Sequence, residues 1–328
     1  MNASRCMSGF GYSNDDGLSG VPLVDAHCHL QLSPIYERAD SVIESAKERA
    51  SVVFANVCGV APGEDWRRIE QLALAHPSFI IPGFGLHPWW IQRYFEARPI
   101  ESVDVCTVTN EFDAYASLEG ELREILTKYT NAYVGECGLD KNIKGSVSMN
   151  VQEAVLTRHL SVAHDMKRTV LLHCVGAWGR LYQQLKEANT TFPEIPAVVL
   201  HSANNLNPEL VAAFLQLPHV YFSFTAIGAL PLLDERHEIR RQKMISLVKR
   251  IPHNRLLLET DSPDQIPRAL LTAPSAELAS STHVPALSCN EPTVIRFTCY
   301  DIANILGMPP SDLAALTTDN AKRAWSLD

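Results

Sequence analysis

The chain has 328 residues, 46% of them hydrophobic and 20% charged, which is material for one large α/β domain or two ordinary ones. Its 28 Lys and Arg stand against 37 Asp and Glu, a formal net charge of -9; this argues against a sequence-specific DNA-binding module with a basic footprint and leaves room for an enzyme that holds a few phosphates locally. No apolar run reaches the roughly 18 residues of a membrane span, and eight scattered cysteines suit free thiols in a reducing compartment better than a disulfide framework.

Residues 1–20 carry no apolar segment of the secretory kind and contain Asp15 and Asp16 with a single Arg, so they read as a disordered polar tail. A cytoplasmic or nuclear protein, not a secreted one, is expected. From residue 21 to 328 the chain reads as a single domain. Short apolar runs occupy 21–29, 51–59, 79–88, 132–140, 169–177, 197–203, 220–226 and 255–263. Each is rich in Val, Ile, Leu or Phe, as a strand buried on both faces should be. Between them, 35–50, 64–76, 118–130, 150–167, 178–190, 207–217 and 238–251 have helical length and patterning. Asn207 is the expected N-cap before Pro208, and Ser311 the expected N-cap of the last helix. Strand and helix alternating eight times predicts a parallel sheet closed into a (β/α)8 TIM barrel rather than an open doubly wound sheet. Two long connections, 97–117 and 264–290, show no periodicity and read as lids or disordered loops.

Chemistry collects where the runs stop. His27 and His29 end the first, His87 the third, Glu136 lies in the fourth, His173 in the fifth, His201 in the sixth and Asp261 in the eighth. In a barrel these ends converge on one mouth. Side chains alternate along a strand, so His27 and His29 share a face while Cys28 points to the helices. By the same parity Cys137 and Cys174 face away from the mouth. Four histidines, a Glu and an Asp form a transition-metal ligand set. Six ligands are too many for one open catalytic ion and suit two divalent ions, with Glu136 as the bridge. Imidazole-rich sites favour Zn or Mn, whereas Mg prefers oxygen. Two such ions bind a phosphoryl or carbonyl oxygen and activate water at neutral pH. Asp261 is the candidate ligand and proton acceptor. His87, in "GLHPWW", either lies in a turn and caps a helix or contacts substrate.

The stretches "DAHCHL", "GLHP", "VGECGLD", "LLHC", "VLHS" and "LLLETDSP", followed by "NEP" at 290–292 and "NAKRAW" at 320–325, resemble the TatD family of metal-dependent hydrolases and deoxyribonucleases. The resemblance runs from about residue 21 to the C-terminus. It implies a barrel with a two-metal site, one ion held by His27, His29, Glu136 and Asp261 and the other by Glu136, His173 and His201. It places His87 near the substrate phosphate and implies phosphodiester hydrolysis, with DNA or another phosphodiester as the partner; the lack of a membrane-length apolar run predicts no membrane partner, and no obligate protein partner is readable from the sequence. The sequence departs from the family where Val175 replaces a common Arg, Lys141 a common aromatic residue, and "HSANN" the usual form after the sixth strand. Lys141 or Arg180 is the candidate replacement cation, although a point charge does not reproduce an Arg fork. Two other readings stand beside this one. The first is a hydrolase of a small ester, amide or lactone, which Glu136 disfavours by standing where some relatives carry a carboxylated Lys. The second is a non-catalytic interaction protein, which the intact ligand set disfavours.

Overall fold

Every one of the apolar runs contains a strand in the computed structural model, which describes residues 17–97, 111–143, 147–226, 235–267 and 289–327. The strands are β1 Leu23–Cys28, β2 Val52–Cys58, β3 Ile80–Phe84, β4 Tyr133–Asp140, β5 Val170–Val175, β6 Val198–Leu200, β7 Val220–Phe224 and β8 Leu256–Leu258. They pair in parallel, in chain order from β1 to β8. Directly after β8 the chain returns to β1: Asp261 N–H donates to the His27 carbonyl at 3.0 Å and His29 N–H to the Ser262 carbonyl at 2.7 Å. Thr260 adds its N–H and its hydroxyl to the buried Asp25 carboxylate, at 2.9 and 2.6 Å. The result is a (β/α)8 TIM barrel.

The helices are α1 Ala39–Ala50, α2 Trp66–Ala75, α3 Ile91–Glu96, α4 Glu111–Lys128, α5 Met149–Met166, α6 Trp178–Thr191, α7 Val211–Phe214, α8 Glu235–Val248, α9 Ile295–Leu306 and α10 Pro310–Ala324. Several differ from expectation, among them α3, which no predicted segment covers. Helix α4 starts inside the segment read as a loop, because Tyr115, Leu118, Leu122 and Leu126 form a buried stripe at helical spacing. Helix α9 was not expected, although Ile295, Cys299, Ile302 and Ala303 make the same kind of stripe and Gly307, at φ 68°, closes it. Ser311 is not an N-cap: α10 begins at Pro310, whose fixed φ suits the first helical position, and Ser311 lies in its first turn. Asn207 does cap, accepting from Glu209 N–H at 3.3 Å, but the segment it opens is a turn followed by the short α7. Residues 1–16 of the expected tail, and 98–110 and 268–288 of the two long connections, lie outside the described residues. Leu18, in the last part of that expected tail, is fully buried in the core.

Apolar side chains divide into two layers. The larger fills the space between strands and helices. The smaller sits inside the barrel, where Val24, Ala26, Tyr133, Leu171, Val199 and Leu257 meet Ala321, Ala324 and Trp325 of the C-terminal helix and the residue after it. Trp325 closes the floor edge-on to Tyr133, ring centroids 5.9 Å apart. The three-residue β8 is held at both ends by asparagines from the two C-terminal motifs. Asn320 donates to the carbonyls of His253 and Leu256 at 2.7 and 2.8 Å. Asn290 donates to those of Thr260 and Asp264 at 2.7 and 2.8 Å. Asp261 is thereby fixed by contacts from outside its own strand.

Candidate metal centre

Two strands change phase before they present their ligands. On β1, Val24 and Ala26 face the barrel interior, yet His27 and His29 do so too, while Cys28 packs outward with its thiol 3.6 Å from the Asn56 carbonyl. The switch falls where the β1–β2 register shifts, between Asp25 and Cys28. On β4, Tyr133 faces inward and so does Glu136, three residues on, again across a register shift. Such irregularities re-aim side chains beside functional sites. Cys137 and Cys174 both pack outward, as parity requires.

Glu136 stands at the centre of the mouth. Its Oε1 lies 2.9 Å from His173 Nδ1, 3.2 Å from His201 Nε2 and 3.5 Å from His87 Nε2. Its Oε2 lies 3.4 Å from His29 Nε2 and 3.7 Å from His27 Nε2. The two oxygens of one carboxylate thus serve two different sets of imidazoles. Asp261 closes the first set, its Oδ1 3.1 Å from His27 Nε2 and 3.6 Å from His29 Nε2. Asp261 adopts a left-handed backbone, φ 56°, which lets its N–H seal the barrel while its carboxylate turns into the mouth. All six expected ligands, and His87, are brought together.

The ring orientations assign the protons. His29 Nδ1 faces the Cys58 carbonyl at 2.8 Å and must donate, which leaves its Nε2 lone pair in the mouth. His201 Nδ1 faces Glu259 at 3.4 Å, again turning Nε2 inward. His87 is the reverse: its Nδ1 accepts from Trp89 N–H at 3.2 Å, so its proton sits on Nε2 and that atom is a donor. His173 spans two carboxylates, with Glu136 at Nδ1 and Asp140 at Nε2, the latter 3.4 Å away. Histidines backed by carboxylates and carbonyls in this way are the usual surroundings of metal-binding imidazoles.

Electrostatics follow the same plan. Burial alone raises the Glu136 carboxyl, but the imidazoles of His87, His201 and His173 outweigh it and hold it well below the usual carboxylate range. Burial raises Asp261 too, and the surrounding imidazoles, His27 first, bring it to about 2. Burial lowers His27, and the neighbouring His201 pushes the same way. Burial takes His87 down to about 3. On His173 and His201 the flanking carboxylates overcome burial and raise both. The two imidazoles nearest Glu136 Oε1 thus sit in the most negative part of the centre.

The donor set fits metal ions. Among the described residues, three groups have ligand atoms within 4.8 Å of one another: His27, His201 and Asp261; His27, His29 and Glu136; His87, Glu136 and His173. Neither ring nitrogen of the fully buried His27 makes a directed hydrogen bond, despite the closeness of Asp261. Unpaired buried donors are costly unless something coordinates them. Two carboxylates and several imidazoles in a buried mouth are the ligand types of Zn, Mn or related divalent ions.

Four contributors escaped the sequence reading. Asp140 holds His173 and accepts from Trp89 Nε1 at 2.6 Å. Glu259 backs His201 and accepts from Ser202 N–H at 2.7 Å. Gln265 donates to Asp261 Oδ2 and, at 3.2 Å, to the Ser202 hydroxyl. Trp89 stands in the turn that follows His87. Asp140 is four residues from Glu136, and Glu259 two from Asp261, so strand parity could have found both. Of the two candidate cations, Arg180 is occupied elsewhere: its guanidinium grips Glu153 at 2.5 and 2.7 Å and Asn150 at 3.0 Å. Lys141 follows Asp140 at the rim, exposed; its backbone N–H donates to the Val175 carbonyl at 2.9 Å, and no hydrogen bond or ion pair engages its ammonium among the described residues.

The loop bearing His87 is held from behind by His159. This buried imidazole accepts from Leu86 N–H at 3.0 Å and faces the Val155 carbonyl at 2.8 Å. Burial brings it from 6.5 to about 4. The unfolded chain therefore takes up its proton first as pH falls. The stability that neutral His159 supports is whole above about 6.5 and is lost progressively toward pH 4, roughly 3 kcal/mol in all. His159→Gln is expected to flatten the fall of Tm between pH 7 and pH 4; superimposable profiles for variant and parent would remove His159 as the cause.

Comparison with known proteins identifies the lineage. The family model described as TatD related DNase matches residues 24–326. The "3'-5' ssDNA/RNA exonuclease TatD" of Yersinia pseudotuberculosis is 30% identical over 286 residues, covering 87% of this chain and 92% of that protein. The "Deoxyribonuclease TATDN3" of Homo sapiens is 26% identical, covering 94% of this chain and 96% of its own. Among solved structures, YJJV, a TatD homolog from Escherichia coli k12, superposes with a TM-score of 0.69 at 20% identity over 93% of this chain and 98% of that one; at that identity the likeness bears on the fold. With a family match that spans nearly its whole length, the chain belongs to the TatD related DNase family.

Proposed function

We propose that this protein is a metal-dependent phosphodiesterase that degrades single-stranded nucleic acid, DNA in the first instance, from an end. The observation that carries the reading is the division of Glu136, one oxygen toward His27 and His29 and the other toward His173 and His201. That arrangement supports two divalent cations sharing one carboxylate. His27, His29, Glu136 and Asp261 would hold the first, and Glu136, His173 and His201 the second. Bound cations would supply charge neutralisation at the phosphate and a nucleophile at neutral pH.

The chain's own residues do the rest. Asp261, ionised and braced by Gln265, accepts the proton of the attacking water. His87, neutral with its proton on Nε2, donates to a phosphate oxygen or to the leaving group. Lys141 offers a mobile positive charge to the flanking phosphates, which suits modest affinity without sequence preference. The names of the Yersinia and human relatives support a nucleic-acid substrate. Buried free thiols at Cys28, Cys58, Cys137, Cys174, Cys289 and Cys299 support a reducing compartment, cytoplasmic or nuclear.

End-labelled single-stranded DNA, incubated with Mg, Mn or Zn and in parallel with EDTA, is expected to shorten progressively only with a cation, and the label that survives gives the polarity. A strand left intact under all three ions would sink the nuclease reading.

A further inference from the structure

We propose that Trp89 is the stacking platform for the base beside the scissile phosphate. This rests on the phosphodiesterase reading above and adds to it how the strand is gripped. Trp89 is 64% exposed, yet it stands at the mouth, two residues beyond His87. The other large exposed apolar residues among those described, Val53, Leu74 and Ile239, lie on β2, α2 and α8, none of them in a loop that bears a candidate site residue. An indole open to water at the mouth offers an apolar face to a ligand while its N–H keeps a polar partner.

The ring is also held. Its Nε1 donates to Asp140 at 2.6 Å, and it stands edge-on to His87, centroids 5.2 Å apart at 87°. Its centroid is 6.5 Å from that of His173. One edge is anchored while a face remains open, so the cost of ordering the side chain is met before a ligand arrives. Stacking accepts any base, because every base has a π-face, and it requires a base not already stacked in a duplex. The platform therefore predicts single-stranded substrates and indifference to sequence. The same residue also fixes the proton of His87, through its backbone N–H on Nδ1. The side chain that would capture the base and the backbone N–H that sets the tautomer of the donor His87 thus belong to one residue.

The test uses a set of end-labelled single strands, each with one abasic nucleotide, moved stepwise along the attacked end. They are turned over by the parent protein, Trp89→Ala and Trp89→Phe. In the parent, one abasic position is expected to raise KM by roughly ten-fold or more. Trp89→Ala should raise KM for the intact strand by a similar factor and be insensitive to the abasic nucleotide at that position. Trp89→Phe, which keeps a ring, should retain most of the affinity. Additive losses, or a loss confined to kcat, overturn the platform and reduce Trp89 to a prop for Asp140. A parent that cleaves intact strands with every abasic position neutral overturns the platform alone. A parent that cleaves none defeats the phosphodiesterase reading and the platform with it.

Discussion

Glu136→Gln is expected to lower turnover of single-stranded DNA by about 1000-fold or more, with the barrel still folded by far-UV circular dichroism. The substitution keeps the shape of the side chain. It replaces one oxygen with an amide nitrogen that has no lone pair to offer, and it removes the negative charge. Both sets of imidazoles then face a neutral group, so each proposed cation loses affinity together with its shared ligand. Metal content after gel filtration should fall by one or two equivalents. Full turnover in the variant would sink the site. Lost turnover with two equivalents retained would make Glu136 a catalytic group and not a bridge. Without cations the variant should also lose the upward push on His173 and His201, since Glu136 is a main source of it for both.

The second large effect comes from a residue with no functional group. Gly138 pairs with His173 across β4 and β5, at φ 148°. A Cβ placed there would lie 2.0 Å from the His173 carbonyl oxygen and 3.0 Å from its nitrogen. Those atoms are backbone in the middle of a sheet and cannot swing aside. Gly138→Ala therefore combines a forbidden backbone region with a strand pushed outward, a cost of roughly 3–5 kcal/mol. The displaced strand carries His173 with it. A large drop in Tm together with loss of activity is expected, whereas Gly179→Ala, at an exposed position with open space about its Cα, should behave like the parent. A Gly138→Ala protein with parental Tm and turnover would mean that β5 is far more yielding than this packing allows.

The histidine pairs and carboxylates were legible because a barrel gathers every strand end at one mouth, whatever lies between them. The faces were legible only locally. Counting parity from Val24 would have turned His27 toward the helices; the bulge before Cys28 is what corrects it. Counting between His27, Cys28 and His29 worked because the change of phase, with Ala26 and His27 both facing inward, precedes the step from His27 to Cys28. Arg180 shows the opposite limit. Its partner Glu153 is 27 residues away on another helix, and no local pattern ties the two. Helix α9 was written as plainly as the others, in the spacing of Ile295, Cys299 and Ile302, and was obscured by its position after a long irregular connection.

The junction between β8 and β1 has a thermodynamic consequence. It lacks a strand ladder of the kind that joins β1 to β8 in order, and depends on Thr260 against Asp25, Asp261 against His27 and Ser262 against His29. The proposed ligands of one cation therefore lie on both sides of the seam where the cylinder is fastened. A cation held there would act as a rivet, and the smallest fluctuation that frees it is the parting of that seam. Amide hydrogen exchange at His29 and Asp261 becomes a direct gauge of occupancy, since both amides are shielded only while the seam stays shut.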